Sequence, residues 1–120
     1  MLTPEQAESL AQELAAHPDY RILRRLKPST VFADPDGRHL VKGVIVNTET
    51  TGLSQDTDKI IELCVILFEY DPESGQAFRV LETYSGLEDP GFPITEEITD
   101  ITGISNEMVA GKRIDDAYVP

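Results

Sequence analysis

The sequence is poor in the residues that crosslink proteins or anchor them in membranes. It contains a single cysteine, Cys64, so no intramolecular disulfide can form. No apolar run approaches the ~20 residues that a membrane-spanning helix requires. The first ten residues, MLTPEQAESL, are acidic and lack the apolar segment of a signal peptide. We therefore expect a cytoplasmic protein that does not enter a membrane, with Cys64 packed in its core.

Basic residues are scarce in one part of the chain. Residues 43–120 hold four Lys or Arg against 16 Asp or Glu, whereas residues 1–42 are balanced, so the net charge of -12 arises entirely after residue 42. An acidic surface repels phosphate groups unless cations intervene. Two interpretations remain open. The surface is simply solvated, or its carboxylates recruit a divalent metal that in turn recruits an anion.

The basic residues of the first part cluster around Tyr20–Leu26, a stretch that is either a short strand or a helical turn. The cluster comprises Arg21, Arg24, Arg25 and Lys27. It is interpreted either as a solvated face or as an edge that contacts phosphates. Neither His17 nor His39 has a partner at the spacing of a metal site, so we expect neither to be a metal ligand.

Capping signals predict a helix at the start of the chain. Thr3 precedes Pro4, and Gln6 completes a capping box. Helical spacing places one set of apolar residues on a common face: Ala7, Leu10, Ala11, Leu14 and Ala15. Pro18 ends the helix near residue 16 or 17. We expect residues 1–40 to form this helix and a connecting extension, and residues 41–120 to form a second unit.

Three apolar runs predict strands, at Leu40–Asn47, Lys59–Tyr70 and Gln76–Tyr84. The turn-rich stretch Asp71–Gly75 predicts a hairpin between the last two, which makes them antiparallel. Two short helices follow. They begin after Thr95 and Ser105 and end at Gly103 and Gly111. The sequence therefore predicts three strands followed by two short helices.

Asn47 and Glu49 stand where the first apolar run gives way to polar residues. In a strand, residues i and i+2 point to the same face. Two oxygen-bearing side chains there can bind hard divalent cations such as Mg²⁺ or Mn²⁺, and a pair of such ions can cleave phosphodiesters. The alternative is that Asn47, Thr48 and Glu49 merely lead from a strand into a turn.

The stretch NTETTGL, residues 47–53, resembles the first motif of the DEDD (DnaQ-like) 3'–5' exonuclease superfamily, whose usual form is DTETTGL. The resemblance extends over residues 41–116. It includes the strand KIIELCVILF, the hairpin and the segment ITGIS. With these features the chain is similar to the proofreading branch of the superfamily, whose members are like the DNA polymerase III epsilon subunit. It implies the N-terminal part of a ribonuclease H-like α/β fold: a three-stranded antiparallel meander with short helices, here with an extra N-terminal helix.

What the resemblance implies for function is hydrolysis at the 3' end of single-stranded DNA or RNA by two metal ions, Mg²⁺ or Mn²⁺. The family holds these ions with four carboxylates and uses a His or Tyr as general base. Asn47 occupies the position of the first catalytic, metal-binding Asp, and Glu49 that of the metal-binding Glu. The loop expected to bind substrate comprises Thr50, Thr51, Gly52 and Leu53. Glu62 also matches a family position, and we expect its role to be structural.

Two departures from the family pattern put activity in doubt. Asn47 offers one neutral oxygen where an Asp offers two anionic ones, and the later motifs, with two further ligands and the general base, are not found in this sequence. We therefore expect no meaningful turnover. Three hypotheses remain: an inactive exonuclease fragment or variant, a non-catalytic binding or regulatory module, and an assembly piece of a split nuclease.

The resemblance also implies that the strand Val41–Val46 presents an open apolar edge, because the later parallel strand that lies beside it in the family's fold is not found in this sequence. We expect one of three remedies for it. The chain forms a homo-oligomer, a partner covers the edge, or the N-terminal helix or Tyr20–Leu26 folds over it.

Overall fold

The structure, a computed structural model, describes residues 1–119. Its helices and strands occur in the order α1 Pro4–Ala15, β1 Val41–Thr50, β2 Ile60–Tyr70, β3 Ala77–Leu87, α2 Glu96–Thr102, α3 Asn106–Val109 and a 3-10 turn at Asp116–Tyr118. The three strands form one antiparallel sheet in the order β1-β2-β3. The predicted α/β class, the three-stranded meander and the N-terminal helix are confirmed.

The hairpin between β2 and β3 is built around the carboxylate of Asp71. Its side chain accepts hydrogen bonds from the backbone N–H of Glu73 at 2.9 Å and from the hydroxyl of Ser74 at 2.8 Å. Those donors, with Arg38 beside the carboxylate, hold the pKa of Asp71 below its usual range. Gly75 closes the turn in the left-handed region, with φ of 73°. The predicted hairpin is therefore confirmed.

Helix α1 begins as the sequence predicts, but it does not pack against the sheet. Thr3 and Gln6 make both hydrogen bonds of the capping box. None of the side chains of α1 is buried, and Leu10 and Leu14 on its apolar face are exposed. Within residues 1–119, no helix is long and apolar enough to cross a membrane.

The segment Tyr20–Leu26 is neither a strand nor a helical turn, so both predictions for it are wrong. The chain joins the sheet only later, along the outer edge of β3. There the carbonyl of Thr30 accepts from the N–H of Val80 and the N–H of Phe32 donates to the carbonyl of Phe78, both at 2.8 Å. With α1 unpacked, the radius of gyration is 20.2 Å, against about 14 Å for a compact chain of this length.

The hydrophobic core lies between β2 and the two short helices. Four buried residues form it: Ile61, Ile94, Ile104 and Val109. The predicted caps are confirmed, because Thr95 and Ser105 accept from the first turns of α2 and α3. Gly103 ends α2 with a left-handed φ of 74°. Its neighbour Ile104 is thereby turned into the core, which gives a physical reason for the ITGIS segment.

The outer side of β1 pairs with no other strand within residues 1–119. The middle of the strand is correspondingly open, with Val44, Ile45 and Val46 between 46% and 55% exposed. Neither α1 nor Tyr20–Leu26 covers this edge, so that remedy is wrong for the described chain. The edge therefore remains available for pairing.

Candidate functional site

Strand β1 continues through the motif instead of ending before it. It runs to Thr50, whereas the sequence placed its end at Asn47. Asn47 and Glu49 are therefore both strand residues, and because side chains alternate, they lie on the same face. Asn47 is exposed and Glu49 is half-buried.

The pairing of β1 with β2 brings two further side chains to this face. Asn47 lies opposite Cys64, and Glu49 lies opposite Glu62. Residues directly opposite each other in an antiparallel pair project from the same face, with Cβ atoms ~5 Å apart. These four residues are named the motif face. Cys64 is half-buried on this face, so the prediction that it packs in the core is wrong.

The motif face concentrates negative charge. Like charges directly opposite each other in a sheet destabilise the pair, and Glu49 and Glu62 are such a pair. A cation between them would relieve that repulsion, and carboxylate and amide oxygens are ligands that Mg²⁺ and Mn²⁺ prefer. The motif face carries only two carboxylates, however, and residues 1–119 contain no group of three or more His, Cys, Asp or Glu placed to hold a metal ion. These donors do not complete a two-ion centre.

The loop that follows β1 is held by Asp58, a residue that the sequence reasoning missed. One carboxylate oxygen of Asp58 accepts from the hydroxyl of Thr51 at 2.9 Å, and the other accepts from the backbone N–H of Ser54 at 2.8 Å. The same Thr51 hydroxyl accepts from the N–H of Lys59 at 3.0 Å. The only sequence signal was an Asp shortly before the next strand, and this position is common in ordinary turns.

Gly52 leaves room in this loop for the carboxylate of Asp58. A Cβ atom at position 52 would lie 2.5 Å from Oδ2 of Asp58, well inside van der Waals contact. Thr50 is oriented by its hydroxyl, which donates to the carbonyl of Gly52 at 2.7 Å. Leu53 follows with its side chain fully exposed. The predicted substrate loop is therefore a hydrogen-bonded turn that ends in a solvent-facing apolar side chain.

A groove of about 720 Å³ lies on the other face of the sheet. Val46, Thr48 and Leu63 line it from the strands, and the segment after α3 closes its far side. These strand residues alternate with Asn47, Glu49 and Glu62, so the groove is separated from the motif face by the sheet itself. We assign the candidate chemistry to the motif face, because neither Asn47 nor Glu49 lines the groove.

A family model and several related proteins match this chain, and both comparisons indicate an exonuclease family. The family model of the RNase T-type exonucleases, described as "Exonuclease", matches residues 44–119, more than half of the chain. A PolC-type DNA polymerase III of Pediococcus pentosaceus is 40% identical over 70 residues, which is 58% of this chain and 4% of that protein. The PolC-type enzyme of Lacticaseibacillus paracasei is 34% identical over the same shares. That of Thermotoga maritima is 28% identical over 99 residues, 82% of this chain and 6% of the relative.

The chain thus spans only a small part of the length of these relatives. Residues 44–119, which the family model matches, contain most of the motif strand, the loop held by Asp58 and the ITGIS helix pair. With the sheet order and the family match, these features establish that the chain belongs to the DnaQ-like (DEDD) 3'–5' exonuclease superfamily.

Proposed function

We propose that this chain carries the first-motif segment of a metal-dependent 3'–5' exonuclease domain, with residues 41–120 as that segment and residues 1–40 as its extension. The observation that carries the proposal is the shared face of Asn47 and Glu49 on β1, next to a loop fixed in one conformation. Glu49 is the metal-binding carboxylate in this proposal, and residues 50–53 contact the terminal nucleotide of a single-stranded DNA or RNA.

The metal affinity of the motif face should be low. Asn47 contributes a neutral oxygen in place of a carboxylate, and fewer anionic ligands weaken the binding of hard cations. Glu62, opposite Glu49, adds a second carboxylate, but these residues still provide fewer ligands than a two-ion centre needs. We therefore expect one weakly held Mg²⁺ or Mn²⁺ and no meaningful phosphodiester hydrolysis by these residues.

Titration with Mn²⁺ tests the metal assignment. The substitution Asn47→Asp should tighten Mn²⁺ binding by about tenfold or more, equivalent to ~1.4 kcal/mol, because it adds an anionic ligand. Glu49→Gln should abolish measurable binding. Glu73→Gln, which removes an exposed carboxylate on the distant hairpin, is the matched control and should leave the titration unchanged. Equal Mn²⁺ binding by the parent chain and Glu49→Gln would refute the assignment.

A 3'-labelled oligonucleotide tests the expectation about activity. With Mg²⁺ or Mn²⁺ present, the parent chain should shorten the oligonucleotide no faster than the Glu49→Ala variant does. Cleavage clearly above that variant would show that Asn47 supports hydrolysis after all.

A second candidate function is a non-catalytic nucleic-acid-binding, regulatory or assembly module in the cytoplasm. Asn47 favours it, since an amide keeps the shape of the site while reducing its charge. The open β1 edge also favours it, because a partner or second copy can pair there. Mixing the chain with a protein that supplies the later exonuclease motifs discriminates the assembly role, which predicts restored cleavage.

A further inference from the structure

A short basic segment, Tyr20–Lys27, is not accounted for by the family site. It precedes the family match, which begins at residue 44. It contains four of the ten Lys and Arg residues in the chain and no Asp or Glu. Its charge is therefore the opposite of that of residues 43–120, which carry the whole net charge of -12.

Most of the basic segment is free to bind something else. Its side chains are exposed, except for Ile22, and it belongs to no helix or strand. In the part of the chain that the structure describes, only Arg24 of this segment is engaged, through two hydrogen bonds to the carboxylate of Glu8 in α1. Within residues 1–119, the salt bridges include none from Arg21, Arg25 or Lys27. Three cations are thus presented to solvent while the fourth fixes the segment to α1.

The backbone direction relates this segment to the motif face. Residues 30–33 run antiparallel to β3, since Val31 pairs with Arg79 in that sense. Strands β1 and β3 are both antiparallel to β2, so their C-terminal residues Thr50 and Leu87 lie at the same end of the sheet. Followed backwards, residues 33 to 30 run toward that end on the outer side of β3, three strand spacings or ~14 Å from β1.

We propose that the basic segment binds the phosphate backbone of a single-stranded nucleic acid whose 3' end lies at the motif face. This inference rests on the proposed function and adds a second contact to it. An acidic domain repels a polyanion. A nucleic acid held only at its 3' end therefore binds more tightly if cations elsewhere on the chain contact its phosphates. Guanidinium groups bind phosphates through paired hydrogen bonds.

The aromatic ring of Tyr20 adds to the fit. It is 56% exposed, at the start of the segment, and has its neighbour His17 at a centroid distance of 5.3 Å. An exposed ring next to cations suits base stacking. An anionic lipid surface fits less well, because the exposed Leu23 and Leu26 belong to no helix, whereas surface-binding segments usually present an amphipathic helix.

Fluorescence anisotropy in metal-free buffer tests the inference. The probe is a 5'-labelled oligo(dT) of about 20 nucleotides, which is longer than the ~4–16 nucleotides that a single domain covers. The triple variant Arg21→Ala, Arg25→Ala, Lys27→Ala should weaken binding at least about tenfold at ~0.1 M salt. Its slope of log affinity against log salt should be shallower by about 2, as expected for three lost phosphate contacts. The matched variant Arg21→Lys, Arg25→Lys, Lys27→Arg keeps the charge and should bind within about threefold of the parent.

Three results would overturn the inference. The parent chain binds no oligo(dT), the alanine variant binds as the parent does, or both triple variants lose affinity equally. Binding only to phosphatidylserine vesicles, lost in the alanine variant, would assign the segment to a lipid surface instead. The Mn²⁺ titration of Glu49→Gln is independent of this assay. Suppose that Glu49→Gln binds Mn²⁺ as the parent chain does, while the alanine variant loses oligonucleotide binding. The proposed metal site is then refuted, and the role of the basic segment still stands.

Discussion

At the scale of single residues, the motif loop depends on the carboxylate of Asp58. It ties Thr51 to Ser54 and lies so close to Gly52 that a Cβ atom there would displace it. The glycine of the motif is therefore explained by close approach, not by an unusual backbone angle. The exposed Leu53 is held at the tip of a loop that is already ordered before any ligand binds.

A mutant cycle at Gly52 and Asp58 tests this explanation. Gly52→Ala should destabilise the chain by about 1–3 kcal/mol, because the new methyl group displaces the Asp58 carboxylate from two hydrogen bonds. In an Asp58→Ala background the methyl group meets no carboxylate, so the same substitution should cost less than about 0.5 kcal/mol. Urea unfolding of the four chains measures both numbers. Equal costs in the two backgrounds would show that Gly52 is not constrained by Asp58.

The sequence was sufficient to identify some site residues and insufficient for others. Asn47 and Glu49 could be found because a spacing of two residues fixes a common face in any strand. The position of Glu62 opposite Glu49 depends on strand register, which is set by contacts between distant parts of the chain. Asp58 acts through a loop conformation that no periodic pattern reports.

At the scale of elements, two neighbouring carboxylates join the end of β3 to the segment after α3. Asp89 accepts from the backbone N–H of Gly111 at 3.0 Å and of Gly91 at 2.9 Å, and Glu88 accepts from that of Ile114 at 2.6 Å. The bonds from Gly111 and Gly91 hold the pKa of Asp89 below its usual range. These contacts keep the helix pair against the sheet.

The lowered pKa predicts how stability depends on pH. A carboxylate with a depressed pKa in the folded state stabilises the fold above its unfolded pKa of ~3.9 and loses that contribution as pH falls through the folded pKa. Asp89→Asn should therefore destabilise the chain most near neutral pH and progressively less below about pH 4. Denaturant unfolding across this range measures the difference.

The control is Asp56→Asn, which removes an exposed carboxylate that accepts no side-chain hydrogen bond within the described chain. Its effect should be small at every pH. A destabilisation by Asp89→Asn that is the same at pH 3 and pH 7 would contradict the role given to the ionised carboxylate.

The elements that local chemistry determines were predicted well. The caps at Thr3, Thr95 and Ser105 and the hairpin turn each depend on residues within a few positions of one another. Strand β1 extends further than predicted because pairing with β2 continues through Glu49, which propensity does not reveal. Tyr20–Leu26 has mixed apolar and basic residues without a packing partner, so its pattern corresponds to no element.

At the scale of the whole molecule, the main feature is the exposed, unpaired edge of β1 in the described chain. Its central residues are apolar on both faces, and Lys42 is its only basic residue. Unpaired apolar edges promote association between chains. The structure leaves two of the expected remedies, a second copy or a partner.

Charge placed on this edge should suppress association. We expect the chain to form dimers as its concentration rises, and Val44→Lys with Val46→Lys to shift it toward monomer by like-charge repulsion. Sedimentation velocity over a range of concentrations measures the shift. Leu23→Lys with Ile101→Lys, at exposed apolar positions away from the edge, is the control and should leave association unchanged. A parent chain that stays monomeric throughout would contradict self-pairing.

The short pairing of residues 30–33 with β3 limits how far such an assembly can grow. It occupies the backbone groups of Phe78 and Val80 on the side of the sheet away from β1. Within the described chain it makes no backbone hydrogen bond to β3 beyond Val80, so it blocks that side of the sheet only in part. An edge-to-edge contact between two copies of β1 is isologous and uses the free edge of both copies, so that contact closes at a symmetric pair.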